Sequence, residues 1–219
     1  RSDGTMIFCR GKELKLSPAD GGRIRFQVDS EGPQDEVVDQ LLVAVGRTPN
    51  LEGMSLEAAG VEFTGKGVTV NERLQTRNPR IYAVGDVCSP YQFTHAADSM
   101  ARIVIQNALF LGRAKASALT IPWCTYTEPE IAHVGLYECD AREKGIEIDT
   151  FTQEMNGVDR AMLEGKPDGF VRVHVKRGSD EILGATIVAA HAGEMISELT
   201  LAMVNKIGLK KVASVIHPY

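Results

Sequence analysis

The sequence lacks any close pair of cysteines, because Cys9, Cys88, Cys124 and Cys139 lie far apart along the chain. This spacing excludes a disulfide framework and favours a reducing compartment, so we predict a cytoplasmic protein whose cysteines are small buried hydrophobes. None of the five histidines lies at ligand spacing from a cysteine. The sequence therefore gives no indication of a zinc site.

The chain also has no long hydrophobic run and no surplus of basic residues. Its longest apolar stretches, such as residues 41–45 and 182–190, are far too short to span a bilayer. Its 24 Lys and Arg face 29 Asp and Glu, which gives a net charge of −5 and no basic surface for phosphates. We predict neither a membrane partner nor a nucleic-acid partner.

Both ends of the chain look cut. The sequence begins at Arg1, without an initiator methionine or a signal-peptide pattern, and stops at Tyr219 without a polar tail. We therefore expect a piece of a longer protein. The 219 residues are 43% hydrophobic and 24% charged, which is typical of a globular protein of one or two domains.

The first half of the chain alternates short β-rich runs with turn signals. Strands are predicted at residues 5–8, 13–16, 23–28, 41–45, 68–70 and 81–84, and residues 30–35 form a polar segment between two of them. The run 41–45 is fully apolar, which is typical of a strand covered on both faces. A short helix is predicted at 56–59, closed by Gly60, and an amphipathic helix at 94–111 with Thr94 as N-cap.

The second half mixes helices with alternating strands. Strands are predicted at 124–127, 170–176 and 182–190, and helices at 137–144, 192–206 and 210–215. Gly208 is predicted to cap the end of the helix at 192–206. A further helix start is predicted at 127–130, where Glu128 and Glu130 would favour the helix dipole.

Two other charged pairs have simple interpretations. Glu194 and Glu198 lie four residues apart on a predicted helix, as a solvated face or a subunit contact. Asp159 and Arg160 could form an interface salt bridge, whose contribution would be small if exposed.

Two apolar strands of the first half end in the same way, at Gly46 and at Gly85. In the second case Asp86 follows the glycine directly. Ligands of α/β sheets bind at the carboxyl ends of the strands, and a carboxylate there can accept hydrogen bonds from ribose or ribityl hydroxyls. Taken alone, a Gly-Asp pair after a strand is also typical of an ordinary turn.

Several segments together resemble the second half of the FAD- and NAD(P)-dependent pyridine nucleotide-disulfide oxidoreductases, a family that includes dihydrolipoamide dehydrogenase, glutathione reductase and mercuric reductase. The segments are LVAVGR at 42–47, IYAVGD at 81–86, QFTH at 92–95, YTEPEIAHVG at 126–135, ILGATIV at 182–188 and HAGE at 191–194. Several unrelated motifs in the right order form a much stronger signal than any one of them.

The resemblance covers the chain from about Arg23 onward and implies a fold class of α/β and α+β. Residues 1–47 would be the end of an NAD(P)-binding domain, and 48–118 the distal part of an FAD-binding domain. Residues 119–219 would be an α+β dimerisation domain with a mixed or antiparallel sheet, through which the protein forms a homodimer.

The resemblance also implies a cofactor site. Gly85 and Asp86 would lie at the ribityl chain of FAD, and Gly46 beside the nicotinamide nucleotide. The residues implied along the isoalloxazine edge are Gln92, Phe93, Thr94 and His95. A helix amino terminus there offers free amides and about half a positive charge to the reduced flavin. The alternative for His95 is a solvent-facing histidine of the first turn.

The last three residues of the sequence include two candidates for the catalytic base, His217 and Tyr219. In this family the base histidine belongs to a His-Pro-Thr run and reaches the partner subunit's redox disulfide. An ungapped match to dihydrolipoamide dehydrogenases puts Tyr219 at the base position, as in the mercuric reductases, and His217 two residues before it. Tyrosine is a poor proton shuttle at neutral pH, because its pKa is about 10. His217 could serve as the base or have a structural role.

The chain lacks the family's glycine-rich FAD fingerprint, its paired redox cysteines and its glycine-rich NAD(P) turn. We interpret it as a piece of an enzyme that passes electrons from NAD(P)H through FAD to a cysteine pair and then to a disulfide, dithiol or metal-ion substrate. The piece alone is expected to be inactive and not to retain FAD or NAD(P). The alternative is a non-catalytic dimerisation or interaction module derived from the same fold.

Overall fold

The computed structural model describes residues 12–29 and 33–218. The chain divides into two compact units, Arg1–Arg47 and Thr48–Tyr219. The predicted strand at 5–8, Cys9 and Tyr219 lie outside the described residues.

The first unit contains an antiparallel sheet of three strands in the order β1-β2-β3. The strands are β1 (Lys12–Pro18), β2 (Ile24–Asp29) and β3 (Pro33–Val38). Phe26 and Val28 alternate inward along β2 and are buried. The sequence did not predict β3, which begins inside the polar segment 30–35, because pairing with β2 rather than apolar alternation makes it a strand.

The apolar run 41–45 is not a strand, contrary to the sequence prediction. Leu42 and Val45 are 88% and 90% exposed, and no described strand pairs with this run. A fully apolar strand gains stability only when neighbours cover both faces and both edges. The described part of the chain offers residues 41–45 no such neighbours.

Residues 48–118 consist mainly of turns around one long helix. The regular elements are β4 (Phe63–Thr64), β5 (Gly67–Val68) and α1 (Thr94–Leu109), and a 3₁₀ turn covers Gly85–Val87. The predicted helix at 56–59 is only a turn, although Gly60 closes it with a φ of +70° as expected. The predicted strand at 81–84 is reduced to one bridge between Gln75 and Tyr82.

Helix α1 confirms the amphipathic helix expected at 94–111. Its buried face is formed by Ala96, Met100 and Ile103, and two of these pack with Leu74 in a small core. The predicted N-cap is wrong by one residue, because Phe93 occupies the cap position and Thr94 is already helical.

Residues 119–218 of the second unit contain a sheet of five antiparallel strands in the order β6-β7-β10-β9-β8, and we call this region the sheet domain. The strands are β6 (Trp123–Thr125), β7 (Glu130–Gly135), β8 (Ile148–Glu154), β9 (Phe170–Lys176) and β10 (Ile182–Ala189). The helices are α2 (Glu138–Glu143), α3 (Asp159–Leu163), α4 (Ala192–Val204) and α5 (Leu209–Ala213). The antiparallel sheet confirms the α+β prediction for this region, and α2, α4 and α5 lie where helices were predicted.

Alternation along the strands builds the main core between the sheet and α4. Val173 and Val175 of β9 and Ala185 and Ile187 of β10 face the helix and are buried. Ile196 of α4 packs into the same cluster. The alternation therefore sets both the register and the buried face.

Two predictions in this region are wrong. The helix start at 127–130 is instead a turn with a cis peptide bond before Pro129, followed at once by β7. Gly208 does not cap the end of α4, where Lys206 takes the positive φ of +54°, and lies at the N-cap of α5 instead. Asp159 begins α3, and Arg160 pairs with Glu164 one turn along the same helix, while the interface salt bridge of Asp159 and Arg160 stays a prediction.

Within the described residues, no helix is both long enough and apolar enough to span a membrane.

Candidate functional site

The turn at Gly85 packs directly against α1. Gly85 is buried with a φ of +71°, and a Cβ built on it would lie 2.8 Å from the Ala97 Cβ of α1. Only glycine meets both conditions, the left-handed backbone and the close approach. Asp86 is the next residue of this turn and is exposed.

A second glycine holds the other side of the same turn. Gly67 of β5 has a φ of +127°, and a Cβ there would lie 2.4 Å from the Val87 carbonyl oxygen. The Gly85 carbonyl accepts hydrogen bonds from the amides of Cys88 and Ser89 at 3.1 and 3.0 Å. The turn bearing Asp86 is therefore fixed between β5 and α1.

The amino end of α1 is open to an electron-rich ligand. Phe93 at the N-cap makes no side-chain cap hydrogen bond, and the first turn carries no acidic residue. Helix amino ends expose amide donors and a partial positive charge. The turn that carries the exposed Asp86 thus packs against the helix whose amino end offers amide donors, an arrangement that suits a polyhydroxyl chain attached to an electron-accepting ring.

His95 is exposed, but its ring makes two contacts with protein atoms. Its Nε2 lies 2.7 Å from the Pro122 carbonyl oxygen, and its ring stacks on Phe93 at 5.4 Å between centroids. These two contacts hold the ring of His95 against protein atoms, although His95 is exposed like Thr94, and Gln92 is half-buried. Gly46, with a φ of +123°, belongs to the first unit.

The three described cysteines are free thiols. Burial raises the pKa of Cys88 to about 11, and burial together with the Glu130 carboxylate raises the pKa of Cys124. Reactive cysteines need a lowered pKa. Cys139 is exposed on α2, so the prediction that every cysteine is buried is wrong there.

His217 forms an ion pair with Glu198, which lies on the outer face of α4. Its Nε2 is 2.8 Å from the Glu198 Oε1, and this carboxylate raises the pKa of His217. Both side chains are about half exposed. The contact brings the end of the described chain to α4, and sequence reasoning had assigned Glu198 no specific partner.

Two buried histidines in the sheet domain were missed by the sequence analysis. His133 stacks on Tyr137 at 3.6 Å between centroids, with Nε2 3.0 Å from the Gly135 carbonyl. His174 has Nδ1 2.9 Å from the Thr150 hydroxyl. Burial lowers the pKa of both histidines. The sequence could have revealed both histidines, because each lies within a strand between apolar residues.

Among the described residues, no group of three or more His, Cys, Asp or Glu side chains could hold a metal ion.

The fold matches that of flavoprotein disulfide reductases. The solved RclA of Escherichia coli, an HOCl-induced flavoprotein disulfide reductase, superposes with a TM-score of 0.82 and 27% identity over 94% of this chain and 47% of that one. The LpdA of Mycobacterium tuberculosis gives a TM-score of 0.86 over 100% of this chain and 47% of that one, at 24% identity.

The chain belongs to the pyridine nucleotide-disulphide oxidoreductase family. Residues 11–101 match the model of the family, and residues 121–219 match the model of its dimerisation domain. A mercuric reductase of Staphylococcus aureus is 40% identical over 189 residues, which is 85% of this chain and 35% of the relative. A dihydrolipoyl dehydrogenase of Thermus scotoductus is 36% identical over 202 residues, 91% of this chain and 43% of the relative. The chain thus spans less than half the length of these relatives.

Proposed function

We propose that this chain is part of a cytoplasmic, homodimeric flavoprotein that passes electrons from NAD(P)H through FAD to a redox-active disulfide. The family match supports the reaction class, and the two kinds of relative support either a metal ion or a disulfide as the final acceptor. We place the end of the NAD(P) domain, with Gly46, at 1–47, the distal FAD region at 48–118, and the dimerisation domain at 119–219.

The observation that carries the FAD proposal is the fixed turn at Gly85 beside the open end of α1. Asp86 would accept hydrogen bonds from the ribityl hydroxyls, and the amides at 92–95 would face the edge of the ring that becomes negative on reduction. FAD would supply a carrier that takes a hydride and releases electrons to a disulfide. The chain's own part is to bind, orient and polarise this group.

The test of this site is FAD binding by the complete reading frame that contains these residues. Asp86→Asn keeps the size of the side chain but removes the charge, and we expect it to weaken FAD binding by about tenfold, as for a lost charge-assisted hydrogen bond. Asp159→Asn on α3 is the matched control and should bind FAD like the wild type. Equal affinity of the Asp86 variant and the wild type would contradict the proposed contact.

The 219-residue chain alone is expected to be catalytically inactive and to retain little FAD. The described cysteines are widely separated free thiols with no redox pair among them, and two of them have raised pKa values. Mixing the purified chain with FAD and measuring bound flavin absorbance after gel filtration tests this expectation. A yellow, stoichiometric complex would contradict it.

The dimer is proposed to form through the sheet domain. Leu201 and Val204 are exposed on the outer face of α4, and the His217 contact brings the exposed Val215 and Ile216 to the same side. Leu201→Glu should shift the protein towards monomer in analytical ultracentrifugation. Ile105→Glu, at an exposed position of α1, is the matched control and should leave the association unchanged.

The role of base is proposed for Tyr219 or His217. The Glu198 carboxylate raises the pKa of His217 and lies 2.8 Å from its Nε2, a contact that fits an anchoring role for this histidine as well as that of a base. The pH profile of the complete protein with Tyr219→Phe and with His217→Gln distinguishes the two. Loss of the reductase reaction in only one variant identifies the base.

A non-catalytic dimerisation module is the second candidate function. The observation that favours it is the sheet domain, whose five strands pair and close a core within the described residues. The open reading frame decides between the two. A start codon directly before Arg1 supports the module, and an upstream extension with a close cysteine pair supports the enzyme.

A further inference from the structure

The segment that follows α1 runs back along the helix and is fastened at both ends. We call residues 114–122 the connector. At one end, the Asn107 side chain binds both the amide and the carbonyl of Ala114, each at 2.9 Å. At the other end, His95 contacts the Pro122 carbonyl oxygen at 2.7 Å. The connector therefore lies antiparallel to α1 between two hydrogen-bonded ends.

Apolar contacts fill the space between these two ends. Leu119 and Ile121 of the connector pack against the core formed by Leu74, Met100 and Ile103. Helix and connector thus form one packed layer.

The Pro122 carbonyl oxygen determines that Nε2 of His95 is the hydrogen-bond donor. A carbonyl oxygen can only accept, so Nε2 must carry the hydrogen and donate it. Stacking on Phe93, with ring planes 11° apart, restricts rotation of the same ring. Two constraints therefore hold the histidine in one orientation, and through its backbone they hold the first turn of α1.

Strand β6 begins at Trp123, one residue after Pro122. The hydrogen bond from His95 to Pro122 therefore links the amino end of α1 to the residue that precedes the first strand of the sheet domain. We propose that His95 is a positioning residue that fixes segment 92–95 against the sheet domain, so that the environment of the flavin depends on the dimerisation domain. The flavin part of this proposal rests on the proposed function.

The experiment compares FAD affinity and flavin reduction potential in the complete reading frame. His95→Gln carries an amide that can reach the position of Nε2, whereas the side chain of His95→Asn is too short. Asn107→Ala cuts the opposite end of the connector and is the matched control. We expect His95→Asn to weaken FAD binding about fivefold, His95→Gln to restore it, and Asn107→Ala to leave it unchanged.

If the flavin reduction potential changes in the His95→Asn variant but not in the Asn107→Ala variant, the result supports a positioning role for His95 rather than a general loss of packing. Equal effects of His95→Asn and Asn107→Ala on FAD would overturn the proposal, and so would wild-type FAD binding and potential in His95→Asn.

Amide hydrogen exchange of the 219-residue chain gives a readout without flavin. We expect His95→Asn to speed exchange both at residues 97–100, where the hydrogen-bonded amides of α1 begin, and at the β6 end of the connector, and His95→Gln to preserve the protection. Unchanged exchange at β6 overturns the coupling. A complete protein that binds no FAD would instead contradict the proposed function, while the exchange result would still decide the link between His95 and Pro122.

Discussion

The sheet domain and the segment 48–118 are stabilised in different ways. In the sheet domain, twelve buried residues form one cluster between the strands and α4. The segment 48–118 has two clusters with three buried residues each, and its helix α1 ends at the exposed Leu109 and is followed by the exposed Phe110 and Leu111, the last of them 93% exposed. The first region thus has one large buried cluster, whereas the second, which carries the proposed cofactor contacts, has two small clusters and a few close approaches.

Ile187→Ala should have the largest effect and should break the sheet domain. Ile187 is 1% exposed in the main cluster, so removing its side chain leaves a cavity that costs about 2–5 kcal/mol of unfolding free energy. Urea unfolding followed by circular dichroism measures the loss. Ile131→Ala, at a 36% exposed position of the same sheet, is the control. Equal losses in both variants would mean that the cluster does not dominate stability.

Gly85→Ala tests the close approach in the other region. The added Cβ meets both a positive φ and the Ala97 Cβ, so we expect a loss of about 2–3 kcal/mol. Gly60→Ala has the same φ of +70° but no heavy atom within 4 Å of its Cβ, and should cost only about 1 kcal/mol. Thermal unfolding of both variants separates the backbone strain from the contact with α1. A Gly85 variant as stable as the Gly60 variant contradicts the packing argument.

Acid should weaken the sheet domain through its buried histidines. The folded-state pKa values of His133 and His174 lie below the unfolded value of about 6.5, because burial disfavours the charged rings. Their contribution to stability is therefore present above pH 6.5 and is lost as the pH falls below it. Urea midpoints measured from pH 7.5 down to 5 should decrease. His174→Asn removes one titrating ring and should flatten this dependence, and an unchanged slope would refute the assignment.

Glu198→Gln should have the smallest effect on stability. The Glu198 carboxylate raises the pKa of the exposed His217, so the variant should lower that pKa towards its ordinary value. Exposed ion pairs contribute little, and we expect no resolvable change in thermal unfolding. Proton NMR titration of the His217 ring measures the shift. Glu194→Gln, one turn earlier on α4, is the control and should leave the His217 pKa in place.

The sequence predicted the elements that repeat a local pattern. Helix α1 and strand β9 follow directly from apolar spacing. Three other features depend on partners that no local pattern shows. Strand β3 is polar and is a strand because β2 pairs with it, and Glu130 lies in a strand although Glu-Pro-Glu is typical of a helix start. Residues 41–45 are apolar, but no described strand pairs with them.

The candidate site was predictable in part for the same reason. Gly85 and Asp86 are adjacent in sequence, and the turn they form was visible as a glycine followed by a carboxylate. The partner of His95 lies 27 residues further along the chain, at Pro122. No periodicity links a first-turn histidine to that carbonyl oxygen, so its positioning role emerges only from the structure.

The close approaches at Gly67 and Gly85 also restrict which base substitutions the codons of these two residues can tolerate. A single-base change in a glycine codon that alters the amino acid yields a residue with a Cβ, such as alanine, serine, valine, aspartate or arginine. At Gly60 the open space leaves room for the smallest of these. At codons 67 and 85 each such step places an atom within contact distance of Val87 or Ala97, so these two codons can drift only silently unless the neighbouring chain moves with them.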